Sequence, residues 1–281
     1  DYELFSSGSI VGDVATTATL VPPAASPYAD LIDVPSSSII DDGAGSVVLR
    51  VVGVDVAAWA DIAGAGGEVW ATAGNWTGTT PGAAIGVVVD SSVNNVATLA
   101  SASAAHTLIV DGASVLIDAG GDLTVANNTH VMDGSTLTVA TAGVLSSNGD
   151  TAVYAGGALD IQGSMILADD KNINTAGTTT FGAASSLTLS AAAGGAGNIN
   201  INAGTTTIAA GAITAINAIN VTGGDLNTGS ALGSVGSLAV TNGNVVSTVE
   251  LAAGTIELNS GTITTAGTAA SVTRLHQSGG V

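Results

Sequence analysis

The chain has 281 residues, of which 46% are hydrophobic and only 9% are charged, against about 25% charged in an average soluble domain. Its 22 acidic and three basic residues give a net charge of −19, which argues against nucleic acid and anionic membranes as partners because both repel an acidic surface. It has no cysteine, and no apolar run reaches the roughly 18 residues of a transmembrane helix. We therefore expect a folded, charge-poor protein with no transmembrane segment and no nucleic-acid partner.

Residues 1–45 contain four of the five prolines of the chain. This composition predicts an extended N-terminal arm and not a repeat. An extended arm can add a strand to the sheet of a neighbouring molecule. The aromatic residues of the arm, Tyr2, Phe5 and Tyr28, are therefore our candidate assembly residues.

Residues 46–83 contain the three tryptophans Trp59, Trp70 and Trp76, which follow a Val-rich run. The end of a repetitive β-structure exposes strand edges that need a cover. We predict that residues 46–83 form a tryptophan-containing cap. The alternative is that the tryptophans form a platform for carbohydrate.

Residues 84–281 repeat short triplets in which a polar or small residue separates two apolar ones. The clearest triplets begin at Leu123, Leu137, Leu159, Leu187, Ile199, Ile219, Leu238 and Ile256. A period of two is typical of β-strands with one buried face, and strands this short bury enough surface only when they are stacked. The spacing settles near twenty residues, which predicts about ten coils of about 19 residues, with longer spacings as coils that carry an inserted loop.

The predicted fold class is therefore all-β, a parallel β-solenoid (β-helix) with an N-terminal arm and cap. The alternative is a β-sandwich built from hairpins. Three dipeptides typical of hairpin turns favour that alternative, namely Asp111-Gly112, Asp133-Gly134 and Asn242-Gly243.

One stretch of the chain resembles a known protein family. Its opening has the order Trp…Asn-Trp…Pro and is followed by Leu-x-Val units, and the matching residues are Trp70, Asn75, Trp76, Pro81, Leu108, Val110, Leu123 and Val125. This pattern resembles autotransporter-associated β-strand repeat proteins, which are bacterial surface proteins of β-helical passenger type. The acidic residue usual after the proline in that family is missing here. The resemblance implies a structural or adhesive role outside the cell or at its surface, and no catalytic residue carries over.

Titratable residues are sparse where catalysis would need them. Between Asn172 and Thr273 the only charged residues are Asp225, Glu250 and Glu257. Cleavage of a polysaccharide needs two carboxylates held across the bond, or clustered acids with a basic residue. We therefore predict that the chain is not an enzyme, and a polysaccharide lyase or hydrolase of β-helix type is the last of our alternatives.

Turns rich in oxygen ligands and Asn-x-Thr sequences supply the remaining candidate sites. Calcium prefers carboxylate oxygens, and the candidate ligands in Asp- and Gly-rich turns are Asp41, Asp42, Asp118 and Asp122. Calcium is the only cofactor that the sequence suggests. The candidate glycosylation sites are Asn75, Asn127 and Asn220.

Together these features predict an extracellular or cell-surface structural protein. A surface with few charges lacks the usual barrier against self-association, although the net charge of −19 restores part of it. We expect self-assembly into a filament, sheath or surface layer through stacking of the solenoid and through the N-terminal arm. The alternative function is a surface adhesin that binds glycans or matrix.

Overall fold

The computed structural model describes part of the chain, and it divides into the units Asp1–Val56 and Ala57–Val281. The described residues are 2–6, 27–31, 38–41, 46–50, 54–60, 69–90, 96–168, 170–183, 185–189, 197–209, 216–229, 232, 235–249, 251, 253–266 and 274–278. They are nearly all β, with two short 3₁₀ helices at Pro27–Leu31 and Ala73–Asn75. The all-β prediction is confirmed.

The N-terminal unit contains a three-stranded antiparallel sheet. Its strands are β1 (Tyr2–Ser6), β2 (Ser38–Asp41) and β3 (Ser46–Arg50), in the order β1-β3-β2. β3 falls within the predicted cap, residues 46–83, but the strands with which it pairs, β1 and β2, both lie in residues 1–45. The described residues of that segment are therefore ordered into strands and a 3₁₀ helix, and the boundary of the unit falls between Val56 and Ala57.

The second unit is a parallel β-solenoid, as predicted, in which the chain passes through three sheets; it has about eight stacked turns and not the predicted ten. The strands of sheet 1 are β4 (Val56–Trp59), β5 (Trp76–Gly78), β6 (Gly86–Asp90), β9 (Leu108–Asp111), β12 (Thr129–Val131), β15 (Thr151–Val153), β18 (Asn172–Thr175), β21 (Asn198–Ile201), β23 (Ile216–Val221), β25 (Val235–Val240), β27 (Thr255–Leu258) and β29 (Arg274–Gln277). The strands of sheet 2 are β7 (Val96–Leu99), β10 (Ser114–Ile117), β13 (Thr136–Val139), β16 (Ala158–Ile161), β19 (Thr178–Phe181), β22 (Thr205–Ile208), β24 (Asp225–Thr228), β26 (Gly243–Ser247) and β28 (Gly261–Thr265). The strands of sheet 3 are β8 (Ala102–Ala105), β11 (Asp122–Val125), β14 (Val144–Ser147), β17 (Ser164–Leu167) and β20 (Ser186–Leu189).

The length of a coil changes along the solenoid. As far as β20 the chain visits all three sheets in each turn, and Thr129 pairs with Thr151, 22 residues later. Beyond β20 the described strands belong only to sheets 1 and 2, and Ala218 pairs with Ser237, 19 residues later. A 22-residue spacing is thus a regular three-strand coil, and our interpretation of it as a coil with an inserted loop is wrong.

The predicted triplets lie on three different faces. Those that begin at Leu137 and Leu159 belong to sheet 2, those at Leu123 and Leu187 belong to sheet 3, and the other four belong to sheet 1. The 28-residue spacing from Leu159 to Leu187 joins two different sheets and is not a coil length. Every pairing between the described strands of the solenoid from β6 onwards is parallel, which contradicts the hairpins of the β-sandwich alternative.

One apolar core runs through the whole solenoid, because the alternate residues of each strand point inward. These residues are Leu, Ile and Val at nearly every turn, and in β11, for example, Leu123 and Val125 are fully buried. Where sheet 3 ends, Leu232 and Leu251 join the same cluster from segments between strands. The core therefore continues beyond the last described strand of sheet 3.

Small residues form the corners between sheets because successive turns approach closely there. A side chain at Gly177 would collide with the carbonyl oxygens of Tyr154 and Gly157 one coil below. Gly204, one coil above, adopts a positive φ of 69° and would meet Gly177 in the same way. The high glycine content of the sequence therefore has a steric cause in these stacked corners.

The assignment of inner and outer faces can be tested on neighbouring residues of β14. Replacement of the fully buried Leu145 by Ala should lower the free energy of unfolding by about 2–5 kcal/mol, because the methyl groups lost leave a cavity in the core. Replacement of the outward Ser146 by Ala should change it by no more than about 0.5 kcal/mol. Denaturant unfolding followed by circular dichroism measures both, and equal losses would contradict the assignment.

Candidate functional surfaces

The three tryptophans form one buried cluster at the first turn of the solenoid. The ring of Trp76 lies edge-on to the ring of Trp59, at a centroid distance of 4.9 Å, and to the ring of Trp70, at 4.8 Å. Trp59 and Trp70 are 2% exposed and Trp76 is 6% exposed. These rings cannot offer a flat face to a sugar, so the carbohydrate platform proposed for them is wrong.

The same cluster covers the edges of the first strands. β5 pairs antiparallel with β4 at the outer edge of sheet 1. The backbone N–H of Trp70 donates to the carbonyl of Thr98 in sheet 2 at 2.8 Å, and its indole Nε1 donates to Ser103 Oγ in sheet 3 at 2.9 Å. The indole Nε1 of Trp76 donates to the carbonyl of Trp70 at 2.7 Å. These contacts bind the tryptophan segment to the edges of all three sheets.

A ladder of asparagine side chains runs along the outer face of sheet 1. Asn200 Nδ2 donates to Asn174 Oδ1 at 2.8 Å, and Asn220 Nδ2 donates to Asn200 Oδ1 at 2.9 Å. The three residues are paired in register on β18, β21 and β23. Asn200 at the centre donates to one neighbour and accepts from the other, so the ladder satisfies polar groups that are only half exposed.

A second ladder starts at the corner between sheets 3 and 1. Asn128 Oδ1 accepts the backbone N–H of Asp150 at 2.9 Å, and Asp150 Oδ1 accepts the backbone N–H of Asn172 at 2.8 Å. From there the side chains continue, since Asn198 Nδ2 donates to Asn172 Oδ1 at 2.9 Å and Asn217 Nδ2 donates to Asn198 Oδ1 at 3.0 Å. Five successive coils are therefore linked by one column of polar side chains.

The outer face of sheet 2 presents two straight ranks of side chains, one from each outward position of its nine strands. Rank 1 consists of Val96, Ser114, Thr136, Ala158, Thr178, Thr205, Asp225, Asn244 and Thr262. Rank 2 consists of Thr98, Leu116, Thr138, Asp160, Thr180, Thr207, Asn227, Val246 and Thr264. All of these residues are partly or fully exposed, and only Asp160 and Asp225 are charged.

The calcium candidates are spread over two different parts of the fold. Asp118 lies in the turn after β10 and Asp122 begins β11, whose pairing partners at that position are Ala102 and Val144. Asp41 ends β2, and Asp42 lies outside the described residues. Among the residues that the structure describes, no group of three or more His, Cys, Asp or Glu side chains is placed to hold a metal ion.

The three candidate glycosylation sites have different surroundings. Asn75 is fully buried and its Nδ2 donates to the carbonyl of Val69 at 3.1 Å, so a glycan on this nitrogen is incompatible with the fold and the prediction is wrong. Asn127 is half-buried, and its Nδ2 donates to Thr107 Oγ1 at 3.4 Å. Asn220 is a member of the asparagine ladder, and a glycan there would remove its bond to Asn200.

The candidate assembly residues belong to the N-terminal unit. Tyr28 lies in the 3₁₀ helix Pro27–Leu31 and is 40% exposed. Tyr2 and Phe5 lie in β1, opposite Leu49 and Val47 of β3. β1 and β2 are the outer strands of that sheet, so each has one edge that is not paired within it.

Comparison with known proteins yields no relative. No family model, no curated protein and no solved structure matches the chain. None of the helices in the described part of the chain has the length and apolar content that a membrane span requires.

The contribution of the ladder to stability can be tested at its central member. Replacement of Asn200 by Ala should lower the free energy of unfolding by about 1–3 kcal/mol, because two amide hydrogen bonds are lost and the amides of Asn174 and Asn220 each lose a partner. Replacement of the exposed Asn227 in sheet 2 by Ala, the matched control, should cost no more than about 0.5 kcal/mol. Denaturant unfolding measures both, and an equal effect of the two changes would argue against the ladder.

Proposed function

We propose that this chain is a structural protein that acts outside the cell or at its surface and assembles with copies of itself into a filament, sheath or surface layer. The observation that carries this proposal is the pair of long, nearly uncharged ranks on sheet 2, which belong to a chain with a net charge of −19. Like charges oppose association, so the face that is nearly free of them is the face on which copies meet most easily.

The position of the carboxylates supports this proposal. Eight of the ten acidic residues that the structure describes in the solenoid lie outside sheet 2. Four of them, Asp118, Asp133, Asp150 and Asp170, lie in or beside turns, and the other four, Asp90, Asp111, Asp122 and Glu257, lie in strands of sheets 1 and 3. Salt limits the range of their repulsion to about 10 Å at 0.1 M ionic strength. These carboxylates therefore keep copies apart at low salt, and sheet 2 becomes available for contact as salt is added.

The N-terminal sheet offers a second mode of contact. Its outer strands β1 and β2 each have an edge that is not paired within the sheet, and unpaired edges are templates for strands of another chain. The resemblance of the tryptophan segment to bacterial surface proteins supports the proposed location. A location outside the cell would expose the assembly to calcium, which acts as an ionic cross-link between carboxylates.

Assembly is tested on the intact chain at increasing protein and salt concentration, with and without calcium, by negative-stain electron microscopy and analytical ultracentrifugation. We expect ordered oligomers or fibres whose amount rises with salt. A chain that stays monomeric under all of these conditions would contradict the proposed function.

The role of the N-terminal sheet is tested by removal of residues 1–54, which leaves β4 intact. Removal of residues 1–45 alone would leave β3 without the two strands with which it pairs. We expect the shorter chain to keep its circular dichroism spectrum and to lose the largest assemblies. Unchanged assemblies would show that this sheet takes no part.

A further inference from the structure

We propose that two copies of the chain associate through the outer face of sheet 2, about a two-fold axis that runs parallel to the strands and passes over β19. This inference rests on the proposed self-assembly and names the surface and the symmetry of its first contact. The partner is a second copy of this chain. The two solenoids then point in opposite directions.

The order of side chains along each rank favours this axis. A two-fold axis parallel to the strands places rank 1 of one copy opposite rank 1 of the other copy, and rank 2 opposite rank 2. It also reverses the order of the nine strands between the two copies. The first strand then faces the ninth, the second faces the eighth, and β19, the fifth, faces itself. Thr178 and Thr180 of β19 each face the same residue of the other copy across the axis.

Two of the four apolar residues of the face, Leu116 and Val246, meet each other in this arrangement, whereas Val96 faces Thr262 and Ala158 faces Thr205. Leu116 stands on the second strand of rank 2 and Val246 on the eighth, so each faces the other. Val246 is 46% exposed, and the contact would cover it in both copies. The symmetry produces this contact twice.

The carboxylates of the face meet hydroxyl groups. Asp225 of rank 1 stands on the seventh strand and faces Thr136 on the third. Asp160 of rank 2 stands on the fourth strand and faces Thr207 on the sixth. Each carboxylate therefore has a hydroxyl donor opposite it, and no carboxylate faces another.

The other face-to-face arrangement lacks these matches. A two-fold axis parallel to the solenoid keeps each strand opposite itself and places rank 1 against rank 2. Val246 would then face Asn244, and Leu116 would face Ser114. Apolar groups would meet polar ones, so the order of residues favours opposite directions of the two solenoids.

The area of the face sets the strength of the contact. Nine strands span about 38 Å at about 4.8 Å per step, and four residues span about 13 Å along a strand, so about 500 Å² of each copy is covered. The total of about 1,000 Å² is at the lower limit for a specific interface. We therefore expect a weak pair that forms at high protein concentration and dissociates on dilution.

The chain has no cysteine, so single-cysteine variants report the arrangement directly. A short bis-maleimide should join Thr178→Cys to itself, and should join a Thr98→Cys copy to a Thr264→Cys copy. It should not join Thr98→Cys to itself, because the two sites lie about 38 Å apart in the proposed pair. A Thr124→Cys variant, on the outer face of sheet 3, is the control and should stay unlinked.

The outcomes separate this inference from the proposed function. Linkage of Thr98→Cys to itself would overturn the proposed direction. If assemblies are visible by microscopy but the reagent links Thr124→Cys and not Thr178→Cys, the proposed surface is wrong. Self-assembly itself would still stand. A chain that stays monomeric would overturn both.

A charge on the axis gives a second, independent test. In Thr178→Asp the new carboxylate faces its own copy, and its neighbours in the rank are the uncharged Ala158 and Thr205. Sedimentation equilibrium should show at least a tenfold weaker pair, and an equal mixture with Thr178→Lys should restore association. Thr124→Asp should leave it unchanged. Association of Thr178→Asp as strong as that of the parent chain would refute the proposal.

Discussion

Parallel pairing of each strand with the equivalent strand one coil away is the interaction on which the rest of this structure depends. It brings like positions into vertical columns, so that one choice of residue is repeated along the molecule. Inward columns of Leu, Ile and Val make the core, corner columns of glycine allow the close approach of successive turns, and outward columns of asparagine pair with themselves. The ladders are thus a consequence of the register and also strengthen it, since an amide column is satisfied only when the coils are aligned.

The sequence predicts the strands well and the coils poorly, for a physical reason. A period of two is local, so the triplets at Leu123 and Leu137 identify strands without any knowledge of their neighbours. The length of a coil depends on how many strands the chain forms in one turn, and among the described residues this number is three as far as β20 and two after it. Spacings between triplets on different faces therefore cannot be converted into a repeat.

The surface sites show the same limit. The asparagines of the ladders are separated by 26, 20 or 19 residues, and only the pairing of β18 with β21 across a longer coil reveals that Asn174 and Asn200 are neighbours. Burial is equally non-local. Asn75 has the sequence of a glycan acceptor and the tryptophans have the chemistry of a sugar platform, yet both are used to close the first turn of the core.

A two-fold contact has a consequence for the kind of assembly that is possible. Two faces related by a two-fold axis satisfy each other, so this contact alone closes at a pair and cannot produce a filament. Growth needs a second contact, and the described outer strands that can supply one are β1 and β2 of the N-terminal sheet and β28 and β29 at the last turn of the solenoid. Because the pair contains solenoids of opposite direction, both of its ends carry the same elements. A filament or layer built from such pairs would therefore have no structural direction, and it would grow equally from either end.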